Sequence, residues 1–102
     1  MDVGAELTFF LLGTIPAEIG NLEKLQVLGL QNNYLTNTIP LDLWTLPALA
    51  ALYLDGNSLT GTIPVQAKSM EHLIDLRLRD NMMHGTFENL GNASKSRPLH
   101  LE

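Results

Sequence analysis

Six side chains of this sequence are of the types that make a recognition surface: Gln31, Tyr53, Asp55, Asp75, Arg77 and Arg79. They fall at a fixed spacing of 24 residues, which lines up Gly29 with Tyr53 and Arg77, and Gln31 with Asp55 and Arg79. Tyrosine and arginine are the types that anchor interfaces, because each brings a large contact area together with a polar tip. The same neighbours can also satisfy one another. Asp55 beside Arg79 would be a surface ion pair worth ~0–1 kcal/mol, and Tyr53 beside Arg77 a cation–π contact worth ~0.5–1 kcal/mol. Catalytic chemistry finds no comparable footing. His72, His84 and His100 occupy different places of the recurring frame and cannot converge on one metal ion. No Ser/His/Asp grouping, glycine-rich phosphate loop or close carboxylate pair is present, and there is no cysteine for a disulfide or thiolate site. The expectation is a binding module that is not an enzyme and carries no cofactor.

The spacing comes from a repeat. Leu22, Leu25, Leu28, Leu30 and Asn33 lead into Leu35-Thr36-Asn37-Thr38-Ile39-Pro40, and the string returns 24 residues on at Leu46, Leu49, Leu52, Leu54, Asn57 and Leu59 through Pro64. A third copy holds Met70, Leu73, Leu76, Leu78, Asn81, Met83, His84, Gly85, Thr86 and Phe87. A constant period of this length predicts a solenoid with one coil of chain per repeat. Alternation at Leu28-x-Leu30 predicts a short strand with one buried face. Leu22, Leu25, Leu35, Ile39 and Leu43 then fill the interior, and one coil can bury them only by stacking on its neighbours. Asn33, Asn57 and Asn81 recur where the strand bends away. An amide both donates and accepts, so each is expected to serve backbone groups of its own coil and the next, a structural ladder rather than a site. Pro16, Pro40 and Pro64 precede segments with Ile19, Leu43 and Ala67 three residues on, which predicts single helical or 3-10 turns begun by proline.

A chain of 102 residues suffices for one small domain. The net charge of −5 argues against a nucleic-acid binder, which needs clustered Lys and Arg. No apolar run approaches the ~18 residues of a membrane-spanning helix, so no membrane insertion is expected. No secretory leader is evident, since Met1-Asp2 opens acidic and Leu7 to Leu12 is short. Asn92-Ala93-Ser94 matches the N-glycosylation pattern.

The ends depart from the frame. Counting 24 back from Leu28, Leu30 and Asn33 gives Gly4, Glu6 and Phe9, so residues 1–12 are expected to form a variant strand or cap. Leu7-Thr8-Phe9-Phe10-Leu11-Leu12 is β-prone and uncharged, and would pair with a second copy if it did not fold over as a cap. Residues 13–91 hold the repeats, a half coil followed by three copies. The third decays at Phe87-Glu88 and Gly91, and counting 24 beyond Met70 reaches Ser94. Residues 92–102 are polar and proline-broken, which reads as a loose tail or improvised cap.

Leu46 to Pro64 resembles the plant-type leucine-rich repeat, Leu-x-x-Leu-x-x-Leu-x-Leu-x-x-Asn-x-Leu-Thr-Gly-x-Ile-Pro, and the resemblance covers about residues 13–91. It implies an α/β solenoid: a right-handed superhelix with a parallel sheet on the concave face and short 3-10 turns on the convex face. It also implies a protein- or peptide-binding role, as in a short piece of a receptor-like ectodomain. The chain would be extracellular if it belongs to such a parent and cytoplasmic otherwise. Asn37 replaces the family's Gly and is expected to adopt a similar left-handed conformation. His84 replaces Thr, and Ala67-Lys68 replaces the usual Leu-Gly.

On the sheet face the outward residues are Gln26, Val27, Gly29, Gln31 and Asn32, then Ala50, Ala51, Tyr53, Asp55 and Gly56, then Ile74, Asp75, Arg77, Arg79 and Asp80. Parallel strands lie ~4.8 Å apart, so residues one repeat apart stand side by side. The small Gly29, Ala50 and Ala51 predict a shallow apolar dip beside Tyr53 and Arg77. The leading expectation is a protein or peptide partner held on this face by Gln31, Tyr53, Asp55, Asp75, Arg77 and Arg79. Two alternatives stand beside it. One is a structural piece that forms homo-oligomers through uncapped ends, to which an exposed Trp44 could add a contact. The other is ice binding, through the threonine columns Thr14–Thr38–Thr62–Thr86 and Thr36–Thr60.

Overall fold

A computed structural model of the chain describes residues 6–8, 12–85 and 99–100. In chain order the strands are β1 (Glu6–Thr8), β2 (Leu12–Gly13), β3 (Val27–Gly29), β4 (Tyr34–Leu35), β5 (Ala51–Tyr53), β6 (Asp75–Arg77) and β7 (Leu99–His100). β1, β3, β5, β6 and β7 lie side by side in that order as a parallel sheet. β2 pairs with β4 in a second parallel ladder, and a bridge between Thr38 and Thr60 extends this pattern to the next coil. None of the described residues lies in a helix long and apolar enough to cross a membrane.

The repeat period sets the register in the middle of the sheet. Leu28 faces Leu52 and Leu52 faces Leu76, while Gly29, Tyr53 and Arg77 stand in one row. At the ends the step shortens. Leu7, rather than Gly4, faces Leu28, and Leu99, rather than His100, faces Leu76. A strict 24-residue count places neither outer strand.

The leucines fill the interior. Leu25, Leu28, Leu35, Leu43, Leu49, Leu52, Leu54, Leu59, Leu73 and Leu76 are buried, with Ile15, Ile39 and Ile63 beneath the second ladder, and Leu22 is half-buried against them. The small outward residues Gly29 and Ala51 are also buried. A side chain of one carbon or none is overshadowed by larger neighbours in its row: Tyr53 beside Gly29, Val27 and Asp75 beside Ala51.

The asparagines close the interior where the strands bend. Asn57 donates to its own coil at Leu54 O (2.9 Å) and to the coil before at Leu30 O (3.0 Å), and its Oδ1 accepts the Leu35 N–H (3.1 Å). Asn81 repeats the pattern at Leu78 O, Leu54 O and the Leu59 N–H. The ladder therefore runs backward, each amide reaching the preceding coil rather than the following one. This direction explains why β1 leads to β2 by a shorter route: Leu7 to Leu11 is three residues briefer than Leu28 to Leu35. The first coil has no predecessor for an asparagine to reach.

On the outer side, α1 (Leu41–Trp44) is flanked by 3-10 turns at Ala17–Asn21 and Val65–Ser69, each with its apolar residue, Leu43, Ile19 or Ala67, buried. Pro16, Pro40 and Pro64 stand one place ahead of the first helical residue, as caps in extended conformation. There each proline carbonyl accepts the first turn's hydrogen bond: Ile19 N to Pro16 O, Leu43 N to Pro40 O, Ala67 N to Pro64 O. Trp44 is 0% exposed, so it is a core residue and not a contact between copies. Gly20 makes room for this: a Cβ there would lie 2.7 Å from Asp42 Cβ on α1.

Positive φ angles recur one repeat apart at Gly13, Asn37, Gly61 and Gly85, and Asn37 takes the conformation expected of it. Gly61 has φ of +91°, and a Cβ there would lie 2.9 Å from Thr38 Cγ2. Backbone strain of ~1–3 kcal/mol therefore awaits any side chain at this position. Gly61→Ala should lower stability by about 1–3 kcal/mol in urea unfolding, with no change in the circular-dichroism spectrum of the folded chain.

Candidate functional site

The sheet brings Tyr53, Asp75 and Arg77 into one interlocked group. Asp75 and Arg77 are two residues apart on β6, so both side chains leave the same face. Arg77 Nε donates to Asp75 Oδ1 (3.2 Å) and Nη2 to Oδ2 (3.1 Å), a two-pronged ion pair. Tyr53 comes from the neighbouring strand, and its hydroxyl donates to the same Asp75 Oδ2 (3.1 Å). The guanidinium carbon lies 4.7 Å from the centre of the Tyr53 ring. Asp75 is thus clamped from two sides and only 19% exposed, whereas Arg77 remains 47% exposed and presents its outer edge to solvent. The hydrogen bonds and charge of Asp75 raise the Arg77 pKa, so the group stays cationic.

The row beside it holds Gln31, Asp55 and Arg79. Gln31 and Asp55 are half-buried and Arg79 is exposed. Gln31 Oε1 and Asp55 Oδ1 are both buried acceptors without a hydrogen bond in the structure. The cation–π contact expected of Tyr53 and Arg77 forms. The ion pair shown on this face joins Arg77 to Asp75, within one strand, and not Asp55 to Arg79 across two. A 24-residue column count favours cross-strand partners and misses this i, i+2 pairing, although alternation along a strand predicts it.

The apolar dip lies elsewhere than expected. A depression of about 630 Å³ opens where the strands begin, lined by Glu23, Gln26, Pro47, Ala48, Ala50 and His72. Ala50 belongs to it, but Gly29 and Ala51 do not. The signal was present in the columns: coil two carries Pro47, Ala48 and Ala50 where coil one has Glu23, Lys24 and Gln26, and coil three has Glu71, His72 and Ile74. His72 and His84 are exposed, and the described residues contain no group of three or more metal-ligating side chains. Asn92, Thr86 and Phe87 lie outside the described residues.

The fold and its repeat define a leucine-rich-repeat solenoid. The family model of the Leucine Rich Repeat matches residues 24–46 and 48–70. The solved structures agree. The LRR ectodomain of the receptor kinase SOBIR1 from Arabidopsis thaliana is 36% identical with a TM-score of 0.77, over 80% of this chain and 45% of that one. The plant peptide hormone receptor RGFR1, in complex with RGF2, is 32% identical with a TM-score of 0.84, over 91% of this chain and 15% of that one. A plant ice-binding protein is 29% identical with a TM-score of 0.64, over 90% of this chain and 37% of that one. No curated protein matches. The chain is a short run of plant-type leucine-rich repeats, similar to receptor-kinase ectodomains and spanning less than half the length of those named above.

Proposed function

We propose that the chain is a non-enzymatic module that binds a protein or peptide on its inner sheet face, anchored by Tyr53, Arg77 and Arg79 and framed by Gln31, Asp55 and Asp75. The observation that carries this reading is the clamp on Asp75. It holds a tyrosine ring and a guanidinium in fixed positions before any partner arrives, and groups already ordered lose less conformational entropy on binding. The peptide-bound state of RGFR1, a protein of similar repeats, supports the same use of the fold. A partner burying ≳1,000 Å² would occupy most of so short a face.

Ice binding has a specific observation in its favour, since Thr14, Thr38 and Thr62 are all exposed in one column. Against it, His84 breaks the shorter column, and the Thr38 and Thr62 methyls cover Gly61 and Gly85 of the following coils. The inner-face reading is tested by panning a library of random twelve-residue peptides against the chain and measuring the selected peptides by calorimetry. Replacing Tyr53, Arg77 and Arg79 together with alanine should weaken them at least 100-fold, by roughly 3 kcal/mol or more, since anchor residues each carry ≥2 kcal/mol. The folded circular-dichroism signal should be kept. Unaltered affinity overturns the site, and thermal hysteresis in the parent chain would favour ice instead.

A further inference from the structure

We propose that the notch at the strand-entry edge is a second subsite, built to take the side chain of a lysine or arginine on a basic partner protein. It is one coil wide. Glu23 and Gln26 stand on one side and His72 on the other, with Pro47, Ala48 and Ala50 as the floor between them. The floor is held by the sheet ladder, for Ala50 N–H donates to Gln26 O (2.8 Å) and Ile74 N–H donates to Ala50 O (2.8 Å). A ligand therefore meets a preformed surface.

The chemistry of the lining selects the occupant. The floor offers a proline ring and two methyl groups, an apolar bed that suits the aliphatic stem of a long side chain. The wall offers one carboxylate, Glu23, which is exposed. No ion pair is recorded for Glu23 among the described residues. A stem lying on Ala48 and Ala50 would set a terminal cation beside that carboxylate. An acidic side chain would meet Glu23 as a like charge, and a purely aliphatic one would leave it without a counter-charge. The chain's net charge of −5 draws the same kind of partner. This subsite is separate from the Tyr53–Asp75–Arg77 group and does not depend on the inner-face reading.

The test is a nitrogen–proton NMR titration of the full chain with Nα-acetyl-lysine amide, using Nα-acetyl-norleucine amide as the uncharged comparator of the same stem. The lysine compound should shift the amides of Ala48, Ala50 and His72. Binding should be about threefold weaker for norleucine, and about threefold weaker for lysine on Glu23→Gln, as an exposed ion pair allows. Ala48→Phe fills the notch and should abolish the shifts. Should that variant fail to fold, Glu23→Gln at an exposed position decides alone. Equal binding of lysine and norleucine, shifts located elsewhere, or none at all would overturn the proposal.

Discussion

Asn57→Ala is expected to destabilise the chain by about 3–4 kcal/mol and to lower Tm by roughly 15–25 °C. Asn57 lies in the middle of the ladder, buried, with coils on both sides. Its loss leaves the Leu35 N–H, which donates to Asn57 Oδ1, without that acceptor inside the interior. A buried donor left in this way costs ~1–3 kcal/mol. Leu30 O and Leu54 O fare better, since each also accepts from a second asparagine, Asn33 or Asn81. Two further hydrogen bonds and a small void complete the loss. Asn57→Asp is the discriminating control. It keeps the acceptor for Leu35 but turns an anion toward the carbonyls of Leu30 and Leu54, so it should cost at least as much as alanine. If Asn57→Asp proved neutral, the amide's donor role would be refuted. Thermal unfolding followed by circular dichroism reads both variants.

The second large effect is at Trp44, where Trp44→Ala should cost about 3–5 kcal/mol. Its ring is fully buried at the position where coil one has Gly20 and coil three Lys68, so it occupies space that neither flanking coil fills. Its Nε1–H makes no hydrogen bond, and a buried donor in that state carries a penalty of ~1–3 kcal/mol. Trp44→Phe sheds that penalty while keeping most of the apolar volume, and should change stability by no more than about 1 kcal/mol. A loss for phenylalanine as large as that for alanine would mean that the indole N–H does find an acceptor. Trp44 is also the single tryptophan, so its fluorescence reports unfolding of the parent chain directly.

Most of the middle of this fold is legible in the sequence, because each coil repeats the same demands. Leu28, Leu52 and Leu76 must face one another once a strand alternates and the period is constant, and they do. Asn37 at a glycine position reads correctly as left-handed backbone, since asparagine tolerates that region. What the period cannot convey is how the repeat stops. Leu7 and Leu99 enter the sheet off the 24-residue count, because a terminal coil needs no partner on its outer side and can drop residues that serve only stacking. Site geometry is legible in part. The row Gly29–Tyr53–Arg77 follows from the period, but the bond of Tyr53 to Asp75 runs diagonally, and the partner of Arg77 lies on its own strand. Trp44 misleads for a different reason. A large aromatic at an outer place looks exposed until the small Gly20 on the neighbouring coil is seen to admit α1 closely.

Every outward side chain discussed above owes its place to the strand register, and NMR couplings transmitted across hydrogen bonds measure that register directly. The structure requires couplings from Leu30 N to the Tyr53 carbonyl, from Leu54 N to the Arg77 carbonyl and from Ile74 N to the Ala50 carbonyl. Observing these three would establish the parallel, repeat-spaced stacking that sets Tyr53 beside Arg77. Couplings from the same amides to carbonyls four residues earlier, or to strands running the opposite way, would contradict it and remove the inner face with it.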